Sequence, residues 1–323
     1  METKKYLKLL YLVCALMCAS AFSACSSDDD NDGGGSAGGG ADLSIPSSVV
    51  DGVRVTGITT SDPENGFSVT YNDDGSPASA TVKGTTYNYE YAGDANRATT
   101  ATGRKLVRVV ASGDYGDGNS TWVASNFSFN QDGFLASYKE TMSASEYGYT
   151  EKAEYVMTFS YNGKGRLQRI AISGTYSESG DGESYSEPVS ESIDYTYTGD
   201  NLTKVTNTSD GETLDYLYEY GTSTHSNAYN VMTPQLAEGM AFFSPMLYQL
   251  VYMGYLGNAS AFLPTKMTYH SYSSYTDGNP NYDNSYDYDI TYDFWSNNKI
   301  KSINCGQSNG YGSYTYNFLY LGE

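Results

Sequence analysis

The sequence predicts an all-β chain folded as one large antiparallel meander, curved as a half-barrel or closed, with a short helical insertion near residues 233–257. Three observations predict it: tyrosine alternates with short polar residues along most of the chain, an aromatic strand-and-turn unit recurs, and a single methionine-rich stretch carries helical spacing. The 323 residues include 34 Tyr, 34 Gly, 8 Pro and 4 Cys, with 39% hydrophobic and 17% charged. Glycine without a triplet period excludes collagen, missing heptads exclude a coiled coil, and scarce cysteine excludes a disulfide-stapled miniprotein.

The first element is an address. Residues 1–24 read as a lipoprotein signal peptide, with basic Lys4, Lys5 and Lys8, an apolar run from Leu9 to Met17, and small residues before Cys25. That run is too short to cross about 30 Å of hydrocarbon as a stable helix. The stretch Phe22-Ser23-Ala24-Cys25 resembles a bacterial lipobox, which implies that the Cys25 thiol receives a diacylglycerol and becomes the new amino terminus. The acidic run after it, carrying Ser27, Asp28, Asp29, Asp30 and Asp32, resembles the export signal that sends Bacteroidetes lipoproteins to the cell surface. Gly33 to Gly40 then offers no apolar group to bury, so residues 25–50 read as a flexible tether with a reach of roughly 25 Å.

Charge and cysteine usage narrow the partners. Lys and Arg total 18 against 38 Asp and Glu, a net charge of −20. Removing the signal, with Lys4, Lys5, Lys8 and Glu2, leaves 15 against 37, or −22. Such a surface repels phosphate backbones, and no basic patch interrupts it, so nucleic acid is excluded as a partner. Cys14 and Cys18 leave with the signal and Cys25 is the anchor, so the domain at 51–323 keeps only Cys305. No intramolecular disulfide is possible there, and a monomer must stand on its core alone.

The strands come next. Tyr87-Asn88-Tyr89-Glu90-Tyr91 and Tyr286-Asp287-Tyr288-Asp289-Ile290 alternate with period two, which places aromatics on one face and polar groups on the other. The recurring unit is seen at Phe67–Gly75, Phe127–Leu135, Phe159–Leu167, Tyr195–Leu202 and Tyr292–Ile300, with Asn, Asp and Gly where a tight turn needs positive φ. Its anchors Phe129, Tyr161 and Tyr197 stand 32 and 36 residues apart, room for two strands and two connections per repeat. Roughly 12 to 16 strands fit between Val53 and Leu321.

These hairpins, the acidic leader and the apolar stretch ending Gly257, Phe262, Leu263 and Pro264 together resemble a family of Bacteroidetes lipoproteins of unknown function with a porin-like fold. The unit Tyr161-Asn162-Gly163-Lys164-Gly165-Arg166-Leu167 is also similar to the tyrosine-aspartate repeat of Rhs shells. A membrane-spanning barrel is nonetheless disfavoured, because outward strand positions would need an apolar band about 25 Å tall, and this alternation sets Tyr against Ser, Thr, Asp and Glu.

The helical insertion holds Leu236, Met240, Phe243, Leu247 and Leu250 at helical spacing. Thr233-Pro234 and Ser244-Pro245 each read as an N-cap followed by proline at the first helical position, and Gly257 as a stop, which predicts two short helices. They serve either as a plug burying the aromatics of the sheet or as a lid or partner-binding surface.

Chemistry-bearing sets are sparse. His225 and His270 form no pair with metal-ligand spacing, and no nucleophile elbow or phosphate-binding loop is present, so no cofactor or catalytic group is predicted. A carboxylate pair of the glycosidase kind remains open but cannot be located among so many acids. Asp277–Asp283 places oxygen ligands at alternate positions, yet Tyr282 and Tyr288 stand where a calcium loop needs Gly and Glu, so a plain turn is expected. Tyrosine offers the remaining cue, either as core lining or as flat faces that stack on sugar rings. The sequence thus points to a non-catalytic, lipid-anchored outer-membrane protein facing the cell exterior, binding a glycan, a peptide or an envelope protein. A carboxylate-based glycan-degrading enzyme and a purely structural envelope protein are the alternatives.

Overall fold

The computed structural model describes residues 54–321 apart from 61–65, 83, 93–104, 116–117, 147, 210–211, 223–224, 228–229, 231–243, 274–282 and 309–312. The wall opens with β1 (Val55–Thr60), β2 (Phe67–Tyr71), β3 (Pro77–Val82) and β4 (Thr85–Ala92). It lengthens through β5 (Lys105–Tyr115), β6 (Gly118–Phe129), β7 (Leu135–Glu146) and β8 (Tyr149–Tyr161). The longest strands are β9 (Leu167–Gly180) and β10 (Glu183–Thr198), followed by β11 (Asn201–Ser209) and β12 (Glu212–Glu219). A small pair, β13 (His225–Ser226) and β14 (Phe262–Leu263), brackets helix α1 (Pro245–Tyr252). Then β15 (Lys266–Ser273), β16 (Asp283–Phe294), β17 (Ile300–Gln307) and β18 (Ser313–Tyr320) complete the wall.

Sixteen of these strands form a closed antiparallel barrel in which β12 meets β15 and β18 returns to β1. The predicted meander is therefore closed, and closure removes the unpaired edges that a half-barrel would expose.

The recurring turns work through asparagine. Asn130 Oδ1 accepts from the backbone N–H groups of Asp132 at 3.0 Å and Phe134 at 2.9 Å, and Asn162 Oδ1 accepts from Lys164 and Arg166 in the same way. Gly133 and Gly165 take the left-handed conformation that closes each turn. Beside these turns, tyrosine has a repeated task. Tyr71, Tyr91, Tyr161, Tyr220, Tyr292 and Tyr320, each near the end of a strand, donate their hydroxyls to the carbonyls of Val55, Pro77, Leu135, Leu202, Pro264 and Ile300. In each case the acceptor lies at or beside the start of the preceding strand of the wall, so the hydroxyl spans the hairpin where its ladder ends. Six of the 34 tyrosines thus form a stitch along one rim.

The alternation sorts the wall by polarity. On β8, Ala153, Tyr155, Met157 and Phe159 point inward and are buried, while Lys152, Glu154, Thr158 and Ser160 face out. Outside, ion pairs such as Arg108–Glu90, Lys139–Glu154, Arg169–Asp194, Lys204–Asp215 and Lys266–Asp287 decorate the wall, with isolated Val156, Leu217 and Leu319 between them. A bilayer core accommodates no such coat. The arrangement is that of a soluble core turned inward, opposite to a lipid-facing barrel.

Sixteen strands enclose more volume than their own side chains fill. Helix α1 occupies the lumen, with Met246, Leu247, Leu250 and Val251 buried. As predicted, Ser244 caps it, its Oγ accepting from Met246 N at 3.0 Å, and Pro245 opens the first turn. The helix ends earlier than the expected stop at Gly257, because the chain turns at Gly254, which has φ of +81°. The other predicted helix, opening at Thr233-Pro234, lies outside the described residues.

Candidate functional site

The two ends of the barrel differ. At the end bearing the asparagine turns, the segment following α1 lies across the opening. Asn258 N donates to Gly165 O at 2.8 Å, Ala261 N to Asp200 O at 3.0 Å, and Leu135 N to Tyr255 O at 3.1 Å. Arg166 is buried there, bonded to Asp200 at 2.8 Å and set 5.9 Å from the Tyr197 ring centroid. Hydrogen bonds from Lys164 and Arg166 hold the Asp200 carboxyl down at about 2.

From midway along the wall toward the opposite rim, the inner face carries polar groups. The buried inward row of β7 runs Tyr138, Glu140, Met142, so a carboxylate stands in the apolar phase at 2% exposure. Glu140 Oε2 accepts from Ser244 Oγ at 2.7 Å and from the Tyr138 hydroxyl at 3.3 Å, which ties the wall to the cap of α1. Burial pushes the Glu140 carboxyl up to about 7, against the opposing effect of those two hydrogen bonds. On β10, Glu191 takes the same inward phase between Val189 and Ile193.

Two glycines shape this region. Gly174 pairs in register with Tyr155, and a Cβ there would lie 1.9 Å from Glu154 O and 2.8 Å from Tyr155 Cδ1. The missing side chain lets the Tyr155 ring lie across β9 toward β10. At the rim, Gly180 does the same for Tyr149, whose ring would sit 2.3 Å from an added Cβ. Burial, then the charges of Glu140 and Glu191, raise the Tyr155 phenol well above its ordinary value. Tyr176 is raised by burial and by Glu151, Glu178 and Glu187. Tyr185, at 55% exposure, donates to Glu187 at the lip.

The arrangement gathers carboxylates, phenols and amide oxygens on neighbouring strands. No cluster of three or more His, Cys, Asp or Glu suited to a metal ion occurs among the described residues. His225 packs against Phe294 at 5.0 Å, and His270 on the outer wall bonds Asp283 at 2.8 Å, so the histidines lie on different surfaces. Cys305 is buried on the inner face of β17, opposite Ile290 and Tyr314 in the ladder. The predicted lipidation residue Cys25 and the export residues Ser27, Asp28, Asp29, Asp30 and Asp32 lie outside the described residues. So does the predicted turn at 277–283 except for Asp283. Sequence reasoning missed Glu140 and Glu191, although both break the apolar phase of their strands and were legible in that way.

No family model matches the chain, and no curated protein does. The resemblances to a lipoprotein family and to tyrosine-aspartate repeats therefore gain no family match. A crystal structure of a porin-like protein from Bacteroides uniformis ATCC 8492 is similar at 15% identity and a TM-score of 0.44, covering 82% of this chain and 97% of that one. The class defined by the coordinates themselves is a closed sixteen-strand antiparallel barrel with an apolar, helix-plugged lumen and a charged outer wall.

Proposed function

We propose that this protein is a lipid-anchored outer-membrane protein facing the cell exterior, a non-catalytic shell that binds a glycan, a peptide or an envelope partner at the end of its barrel opposite the asparagine turns. The observation that carries the reading is the polarity of the wall. Charged pairs outside and a plugged apolar interior suit a body held beside a membrane rather than a channel within one.

Position supports the same view. Strand β1 starts at the closed end, where Tyr71 bonds Val55 O, so the tether from Cys25 joins there. Exposed Phe262, Trp295 and Leu321 lie at that end too. A barrel moored in this way turns its polar mouth away from the lipid.

The test is made in cells that process lipoproteins. Cys25→Ala abolishes fatty-acid labelling, and replacing Asp28, Asp29, Asp30 and Asp32 by Ala keeps the label while protecting the protein from added protease. Labelling that survives Cys25→Ala overturns the anchor, and protease sensitivity that survives the second change overturns surface export.

A further inference from the structure

We infer that the inner wall of β7–β10 is a site for a chain of ammonium groups, such as a polyamine or the lysines of a basic peptide. The inference deepens the binding reading above and rests on it.

The first observation is a segregation of charge. On these four strands, Lys139, Lys152 and Arg169 all face outward, and two of them are paired there with Glu154 and Asp194. The inward phase of the same strands carries Glu140, Glu178, Glu187 and Glu191 and no lysine or arginine. The outer face carries both signs, whereas the inner face carries acids alone. This sorting builds a negative field inside a low-dielectric enclosure, where a cation gains most.

The second observation is independent of charge. Tyr155 is 6% exposed and its hydroxyl has no hydrogen-bond partner among the described residues. Asn207 is 5% exposed and its Oδ1 is likewise unpartnered. Asn207 sits opposite Ile193, one inward step from Glu191, and Tyr155 lies in the field of Glu140 and Glu191. Buried polar atoms normally find partners, so both mark places prepared for a group from outside. Both oxygens accept a hydrogen bond, which an ammonium group supplies three at a time.

The third is a graded approach. Along the inward phase of β10, exposure falls from Tyr185 at the rim, through half-buried Glu187, to Glu191 at 7%. Tyr176 and Tyr185 stand beside these carboxylates, and aromatic faces attract ammonium groups. A saccharide would use the same rings but has no need of so many inward carboxylates.

Calorimetric titration of the purified full chain with spermine and, separately, with hexalysine tests this. Saturable binding of at least one is expected, and whichever binds more tightly names the source. Glu187→Gln and Tyr155→Phe should each weaken it about tenfold or more, while Glu154→Gln, on the outer face of the same wall, leaves it within about twofold. Unchanged melting temperature in Tyr155→Phe separates lost contact from lost fold. Absent binding of both amines, or equal loss in Glu154→Gln, overturns the inference. The localisation assays are scored on cells without either amine, so a barrel that reaches the surface and ignores both sinks this inference alone.

Discussion

The two ends of the barrel are built from the same tyrosine-rich hairpins and yet do opposite things. At the asparagine-turn end, phenol hydroxyls are spent on backbone carbonyls, as Tyr161 is on Leu135, and the chain after α1 seals the opening. Midway along the wall, the Tyr155 hydroxyl has no partner among the described residues, and at the far rim Tyr185 donates to the carboxylate of Glu187. Composition is therefore no guide to role. What distinguishes the six turn-end tyrosines is that a backbone carbonyl of the neighbouring strand lies within reach of each hydroxyl.

The sharpest way to break the contrast is Gly257→Val. Gly257 has φ of +84° and an added Cβ would lie 2.4 Å from Gly165 O, so the seal cannot form as it stands. A loss of more than about 4 kcal/mol in urea unfolding is expected. Truncating the plug comes next. Leu250→Ala removes a fully buried side chain of α1, and roughly 3 kcal/mol of stability should go with it.

Glu140 links the plug to the wall and sets a pH dependence. Its carboxyl titrates near 7 folded against an ordinary value of 4.5, so the protonated form is the one the fold prefers. The stability this contributes is fully present below pH 4.5 and is lost as pH rises through about 7. Denaturation series should show a falling limb over that window of up to about 1.4 kcal/mol per pH unit. Glu140→Gln should flatten it, and an unchanged limb would show that another group is responsible.

The smallest effects sharpen the comparison most directly. Tyr161→Phe at the turn end deletes one stitch and should cost about 1 kcal/mol. Tyr185→Ser at the far rim should cost less than about 0.5 kcal/mol. Equal losses at the two positions would mean that the rim tyrosine is structural after all.

Much of the wall was legible in advance. Period-two tyrosine gave the strands, Asn-and-Gly turns gave the hairpins, and Ser244-Pro245 gave the start of α1, because each is a local rule read from neighbouring residues. The inward polar groups were less visible. Glu140 and Glu191 stand out only once the inward phase of their strands is known, and Asn207 lies on another strand with no short-range signal at all. Nor does any stretch of residues announce that Gly174 lets Tyr155 cross toward β10.

Sequence alone fixed what each strand would show to either side, since a side chain's face follows from its parity along an extended backbone. Whether the sheet would close, which end would be sealed, and which phenols would find an acceptor were decided by the fold. Those outcomes depend on contacts between residues such as Gly165 and Asn258, or Glu140 and Ser244, that lie some ninety to a hundred positions apart. Closure brings such pairs within hydrogen-bonding range only after every hairpin between them has taken its register.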